Sequence, residues 1–149
     1  MRVKLDRFTR TTHVVDNVDH PTAEHIEERI GAMCDDWSTT IELATGENAM
    51  LITASSGRYA VMVNMGNGND FFDLVGEPGA IGDVAFVHGG QPAEHPVRHV
   101  VKRELAVEAA RSCIRDGGVS LPENLLWERQ SQYAATSGED RLLLETKNQ

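Results

Sequence analysis

Along most of the chain, apolar and polar residues alternate in short runs, and helical spacing replaces that alternation in two places. Residues 3–8 and 12–18 read as two strands joined by a Thr-Arg-Thr link. Asp19-His20-Pro21-Thr22 then opens a helix. Pro21 suits a first helical turn, where its missing N–H costs nothing. His20 and Thr22 are the candidate caps, and Glu24, Glu27 and Glu28 favour the positive end of the helix dipole. Ala23, Ile26, Ile30 and Met33 form an apolar stripe, and the helix is expected to end near Asp35. Strand-like runs follow at 39–44, 49–54 and 59–65, separated by Thr45-Gly46-Glu47-Asn48 and Ser55-Ser56-Gly57, which is hairpin spacing. Gly66-Asn67-Gly68-Asn69-Asp70 reads as a turn before a strand at 71–75. After a loop at 76–82, a strand at 83–88 is cut short by Gly89-Gly90-Gln91-Pro92, and 96–101 reads as another strand. It leads into a helix at 102–116 that stops at Gly117-Gly118. Leu105, Ala109 and Ser112 or Cys113 form one face of this helix, with Ala106, Ala110 and Ile114 beside it.

Helix, run of strands, helix is the α+β pattern. The expected fold is an antiparallel sheet (a meander) with two main helices packed on one face. A chain of 149 residues suits one domain. Its core is expected at about residues 21–128, with a polar tail at 129–149 that either adds an edge strand or is loosely ordered.

Composition narrows the class. No apolar run approaches the roughly 20 residues of a membrane helix, and the charged start Met1-Arg2-Val3-Lys4-Leu5-Asp6-Arg7 lacks an apolar signal core. A cytoplasmic location is the expectation. Cys34 and Cys113 both fall on expected helices and read as reduced core side chains. The formal net charge is -9, and between Asp16 and Asp83 the bases are Arg29 and Arg58 alone. Such an acidic middle argues against direct binding of nucleic acid, whose phosphates it would repel. It suits a basic partner, or simply solubility.

Motifs of catalysis are scarce. His88, His95 and His99 invite a metal reading. Pro92 and Pro96 break any helix there, however, and four residues of strand would hold His95 and His99 about 13 Å apart. Residues 66–70 lack the Lys and trailing helix of a phosphate loop and the ligand ladder of a calcium loop. Ser55 and Ser56 sit in no nucleophile elbow, and the acid pairs Asp35/Asp36 and Asp70/Asp73 read as solvated surface. Neither an enzyme nor a cofactor or metal is expected.

Aromatic residues beside acids are more informative. Trp37 follows Asp35-Asp36, and Phe71-Phe72 lies between Asp70 and Asp73. Neighbours on a strand point to opposite faces, so one Phe is expected inward and the other outward. An outward aromatic ringed by carboxylates suits a basic protein partner. Asp35, Asp36, Trp37, Asp70, Phe71, Asp73 and Glu77 are the candidate contacts.

The chain resembles the Imm1 immunity proteins of bacterial polymorphic toxin systems. The resemblance rests on the helix opening Pro21-Thr22-Ala23-Glu24, the meander through 51–65, the Gly-containing turn before Phe71-Phe72, the late helix Glu104-Leu105-Ala106-Val107-Glu108-Ala109-Ala110, and the closing Pro122-Glu123-Asn124-Leu125-Leu126-Trp127-Glu128. It covers roughly residues 21–128. It implies a non-enzymatic antidote that binds a cognate secreted toxin, often a nucleic-acid deaminase, inside the producing cell. The expected partner is therefore a basic toxin protein, met by a free monomer or homodimer over an interface of about 1,600 Å². Trp127 and Glu128 match the closing motif and are expected to be structural, the Trp pinning the chain to the sheet. The competing class is a homo-oligomeric or scaffold binding module with no toxin partner.

Overall fold

A computed structural model describes residues 1–9, 12–33, 40–88 and 91–130. β1 (Arg2–Thr9) and β2 (Thr12–Asp19) form a hairpin. Next comes α1 (Ala23–Ala32). β3 (Thr40–Thr45), β4 (Asn48–Ser55), β5 (Arg58–Met65) and β6 (Asp70–Leu74) follow as a meander. β7 (Asp83–His88) and β8 (Gln91–Pro96) make a second hairpin. A 3₁₀ turn (Val97–His99), α2 (Arg103–Asp116) and β9 (Trp127–Arg129) complete the described chain. The main sheet has the order β2-β1-β3-β4-β5-β6-β9 with every pairing antiparallel, and β7-β8 is a separate two-stranded sheet. The fold is α+β, as the order of elements predicts.

The period of two decides which face is buried. Val3, Leu43, Met50 and Val63 align across one row, and Leu5, Ile41, Ile52 and Val61 across the next. All eight are buried, with Ile26 and Ile30 of α1 and Ala106, Ala109, Ala110 and Cys113 of α2, in one core. Small residues on α2 let it lie close to the sheet. The packed face of α2 is centred on 106, 109, 110 and 113, so Leu105 and Ile114 sit half-buried at its margins. The helices also pack on each other. The Arg103 guanidinium lies over Gly31, where an added Cβ would come within 2.8 Å of it. The buried Tyr59 hydroxyl donates to Ile30 O at 2.9 Å, tying α1 to β5.

Local chemistry adjusts several expected boundaries. Thr22 is the cap of α1, its hydroxyl accepting from His25 N–H at 3.1 Å, so Pro21 stands before the helix rather than in its first turn. α1 ends at Ala32, earlier than expected. Residues 66–69 turn, as predicted. Residues 96–101 are not a strand: Pro96 ends β8, and the chain tightens into the 3₁₀ turn before a single bridge pairs Val101 with Tyr59. Residues 91–96 do form a strand despite Pro92 and Pro96, because β7 supplies the partner. The β1-β2 hairpin belongs to the same sheet as the meander.

The face of the sheet away from the helices is partly covered by the second hairpin. β7 lies against β4, and Val87 N–H donates to the buried Ser55 hydroxyl at 3.0 Å. Phe86, Ala60 and Val75 are buried there, outside the main core. No helix among the described residues is long and apolar enough to cross a membrane.

Candidate functional site

Where β6 pairs with β9, the antiparallel register sets Asp73 directly opposite Glu128. Their neighbour Leu74 points into the core, so both acids project from the opposite face of the sheet. Like charges opposite one another destabilise a strand pair. The structure relieves this with the turn carrying Arg98 and His99. The His99 ring stands between the acids, Nδ1 at 3.6 Å from Asp73 Oδ2 and Nε2 at 3.2 Å from Glu128 Oε2. Arg98 grips Glu128 through Nε at 2.8 Å and Nη2 at 2.7 Å, a bidentate fork. Gln130 Nε2 donates to Asp73 Oδ2 at 2.8 Å.

These surroundings drive the two acids apart. The hydrogen bonds from Arg98 hold the Glu128 carboxyl down to about 2, against the opposing cost of burial and with help from His99. Burial pushes Asp73 up from the ordinary carboxylate value, and Glu128 adds to that, while Gln130, His99 and Arg98 oppose it. His99 is 6% exposed, with a carboxylate at each ring nitrogen. A general acid or base has to reach a substrate. This imidazole instead sits within a cluster of paired polar side chains that fastens β9 and the 97–99 turn to β6.

His95 lies beside this cluster. Its ring centroid is 6.1 Å from that of His99 and 5.1 Å from that of Phe86. The extended-strand argument for a wide His95–His99 separation therefore does not hold, because the chain turns between them. Even so, among the described residues no three His, Cys, Asp or Glu side chains group to hold a metal ion. Cys113 is a free thiol buried in the core, and burial pushes its pKa up. Cys34 lies outside the described residues.

The candidate contact residues scatter. Asp35, Asp36 and Trp37 lie outside the described residues. Asp73 is buried in the cluster and offers no free charge to a partner, which corrects its place on an outward acidic face. Asp70 is half-buried and paired with Arg129. Phe71 shares a face with Asp73 and Phe72 shares one with Val63, and both rings are half-buried. Glu77 is fully on the surface, in the loop after β6. Trp127 packs against the core beside Leu74, its Nε1–H donating to Pro122 O at 3.2 Å. Glu128 is at the centre of the charged cluster.

Sequence reasoning missed Arg98 and Gln130 and weighed His99 only as a metal ligand. Arg98 and Glu128 lie 30 residues apart in sequence, and Gln130 and Asp73 lie 57 apart, so no local pattern joins them. Compared with known proteins, the chain matches no family model and no curated protein.

Proposed function

We propose that this chain is a stoichiometric inhibitor of the Imm1 kind, an immunity protein that neutralises a cognate toxin by covering it with an acidic surface. The toxin class that fits is a basic, nucleic-acid-acting protein such as a deaminase, met in the cytoplasm of the producing cell. The carrying observation is where the negative charge lies. The bases near the β6-β9 edge are each paired with an acid, Arg98 with Glu128 and Arg129 with Asp70. Around them Glu77, Asp83, Glu94 and Glu123 stand exposed, with no salt bridge among the described residues. A face of that kind repels phosphates and attracts a cleft built to hold them. The best-formed constellation of titratable groups, around His99, acts as a fastening, which supports a binding role over a catalytic one.

The test is co-expression with the product of the adjacent gene. The expected result is a stable one-to-one complex on size-exclusion chromatography and survival of cells that the neighbour alone kills. A chain that forms only its own oligomers and gives no protection returns the reading to the scaffold class.

A further inference from the structure

The exposed large hydrophobic side chains among the described residues are Ile81, 91% exposed, and Leu126, 53% exposed. Single exposed apolar residues are common and need no explanation. These two differ because a relay of backbone hydrogen bonds connects the segments that carry them. Leu126 O accepts from Val75 N–H at 2.9 Å, and the next residue, Gly76, donates to Arg98 O at 2.9 Å. Val97, adjacent to Arg98, donates to Gly82 O at 3.0 Å, and Gly82 follows Ile81. The ribbon thus runs from Leu126 through residues 75–76 and 97–98 to residue 82.

The loop carrying Ile81 is held at both ends by those bonds and turned in its middle by Ala80 N–H donating to Glu77 O at 3.0 Å. Gly76 permits the close approach, since a Cβ there would meet Val100 O at 2.8 Å. β6, which leads into the loop, is fastened by the cluster of Asp73, His99 and Glu128. A partner would meet a backbone already placed, with little loop-ordering cost left to bear. Acids frame it: Glu77 and Asp83 flank Ile81, and Glu123 belongs to the turn that leads to Leu126. Arg98, the nearby base, is taken by Glu128.

Resting on the reading of the chain as a protein-binding inhibitor, we infer that Ile81 and Leu126, framed by Glu77, Asp83 and Glu123, form its docking epitope. The occupant is a protein whose surface holds apolar depressions within a rim of lysines and arginines. The apolar side chains set how long the complex lasts, and the acids set how fast it forms. Candidate residues Asp70 and Asp73, paired inside the edge of the sheet, contribute rigidity rather than contact.

The probe is the product of the adjacent gene, catalytically inactivated and titrated by biolayer interferometry. Ile81→Asp is expected to weaken binding about 30-fold or more, chiefly through faster dissociation. Glu77→Lys with Asp83→Lys is expected to slow association about 10-fold at low salt and leave dissociation nearly unchanged. Both variants alter exposed positions, Ile81 and Glu77 in the loop and Asp83 at the start of β7, and circular dichroism and melting matching the wild type show that each is folded. If the probe binds and both variants lie within twofold of wild type, the epitope is wrong and the inhibitor reading stands. If the probe does not bind wild type, the inhibitor reading falls, and a photo-crosslinker at position 81, with one at position 28 on α1 as control, decides the epitope in the producing cell. A crosslink at 81 alone, to one basic protein whose purified form then loses affinity for Ile81→Asp, supports it. No crosslink, or one equal at both positions, overturns it.

Discussion

Two carboxylates held face to face carry opposite signs in the energetics of this fold. Glu128, held down to about 2 by Arg98, is worth more to the folded chain than to the unfolded one. Its contribution is complete above the usual 4.5 and disappears as pH falls toward the folded value. Asp73 works the other way. Burial raises it, so the folded chain binds that proton more strongly, and ionisation costs stability as pH climbs from 3.8 through the raised value. Glu128→Gln leaves Arg98 without its anion. It is expected to cost about 1–2 kcal/mol at pH 7, the range for a charged hydrogen bond discounted for the partial exposure of Glu128. Asp73→Asn keeps an oxygen to accept from Gln130 and is expected to cost less than half as much. Urea denaturation from about pH 7 to pH 3 separates the two: the gap between Glu128→Gln and wild type narrows with acid as Glu128 of the unfolded chain takes up a proton that the folded chain, held near 2, does not. Equal costs at pH 7 would mean that the cluster is not anchored on Glu128.

At the level of elements, what was legible is what local pattern controls. Ser56-Gly57, with both residues at positive φ, allows the two-residue turn between β4 and β5, and turns of that kind spaced the meander correctly. β8 was not legible because Gln91-Pro92-Ala93-Glu94-His95-Pro96 has no apolar alternation; only pairing with β7 makes it a strand. The site was less legible still, since Asp73, His99, Glu128 and Gln130 come from segments that meet through topology alone. Two element-level bonds invite measurement. Gly117 ends α2 at φ 73, its N–H reaching Cys113 O and Ile114 O, in open space. Gly117→Ala therefore meets no clash and pays only for the left-handed backbone, an expected loss of about 1 kcal/mol. Tyr59→Phe leaves Ile30 O with the Met33 N–H as its donor and is expected to cost about 1 kcal/mol, the ordinary net worth of a hydrogen bond. If α1 is tied to the sheet by that hydroxyl, hydrogen exchange in α1 speeds up in Tyr59→Phe while exchange in β4 and β5 follows global stability.

For the whole molecule, the governing quantity is a net charge of -9 whose nearby cations are internally committed at the β6-β9 edge. Charge spread evenly over a surface guides nothing in particular. Charge concentrated beside a pinned apolar loop orients an approaching basic protein before contact, and this effect has a range set by salt. The screening length shrinks from about 30 Å at 0.01 M to about 8 Å at 0.15 M and about 3 Å at 1 M. Steering therefore operates beyond contact distance only in the first two conditions. Buried contacts between apolar side chains lie inside any of these lengths and respond little. Association with the neighbour-encoded partner is accordingly expected to slow by about tenfold or more between 0.01 M and 0.5 M salt, while dissociation changes by less than about twofold. Stopped-flow mixing at a series of ionic strengths measures both. Salt dependence confined to association places the acids in the encounter and the apolar anchors in the bound state. Salt dependence shared equally by dissociation would place the charges inside the contact, with Glu77 and Asp83 as partners in buried ion pairs instead of a guiding rim.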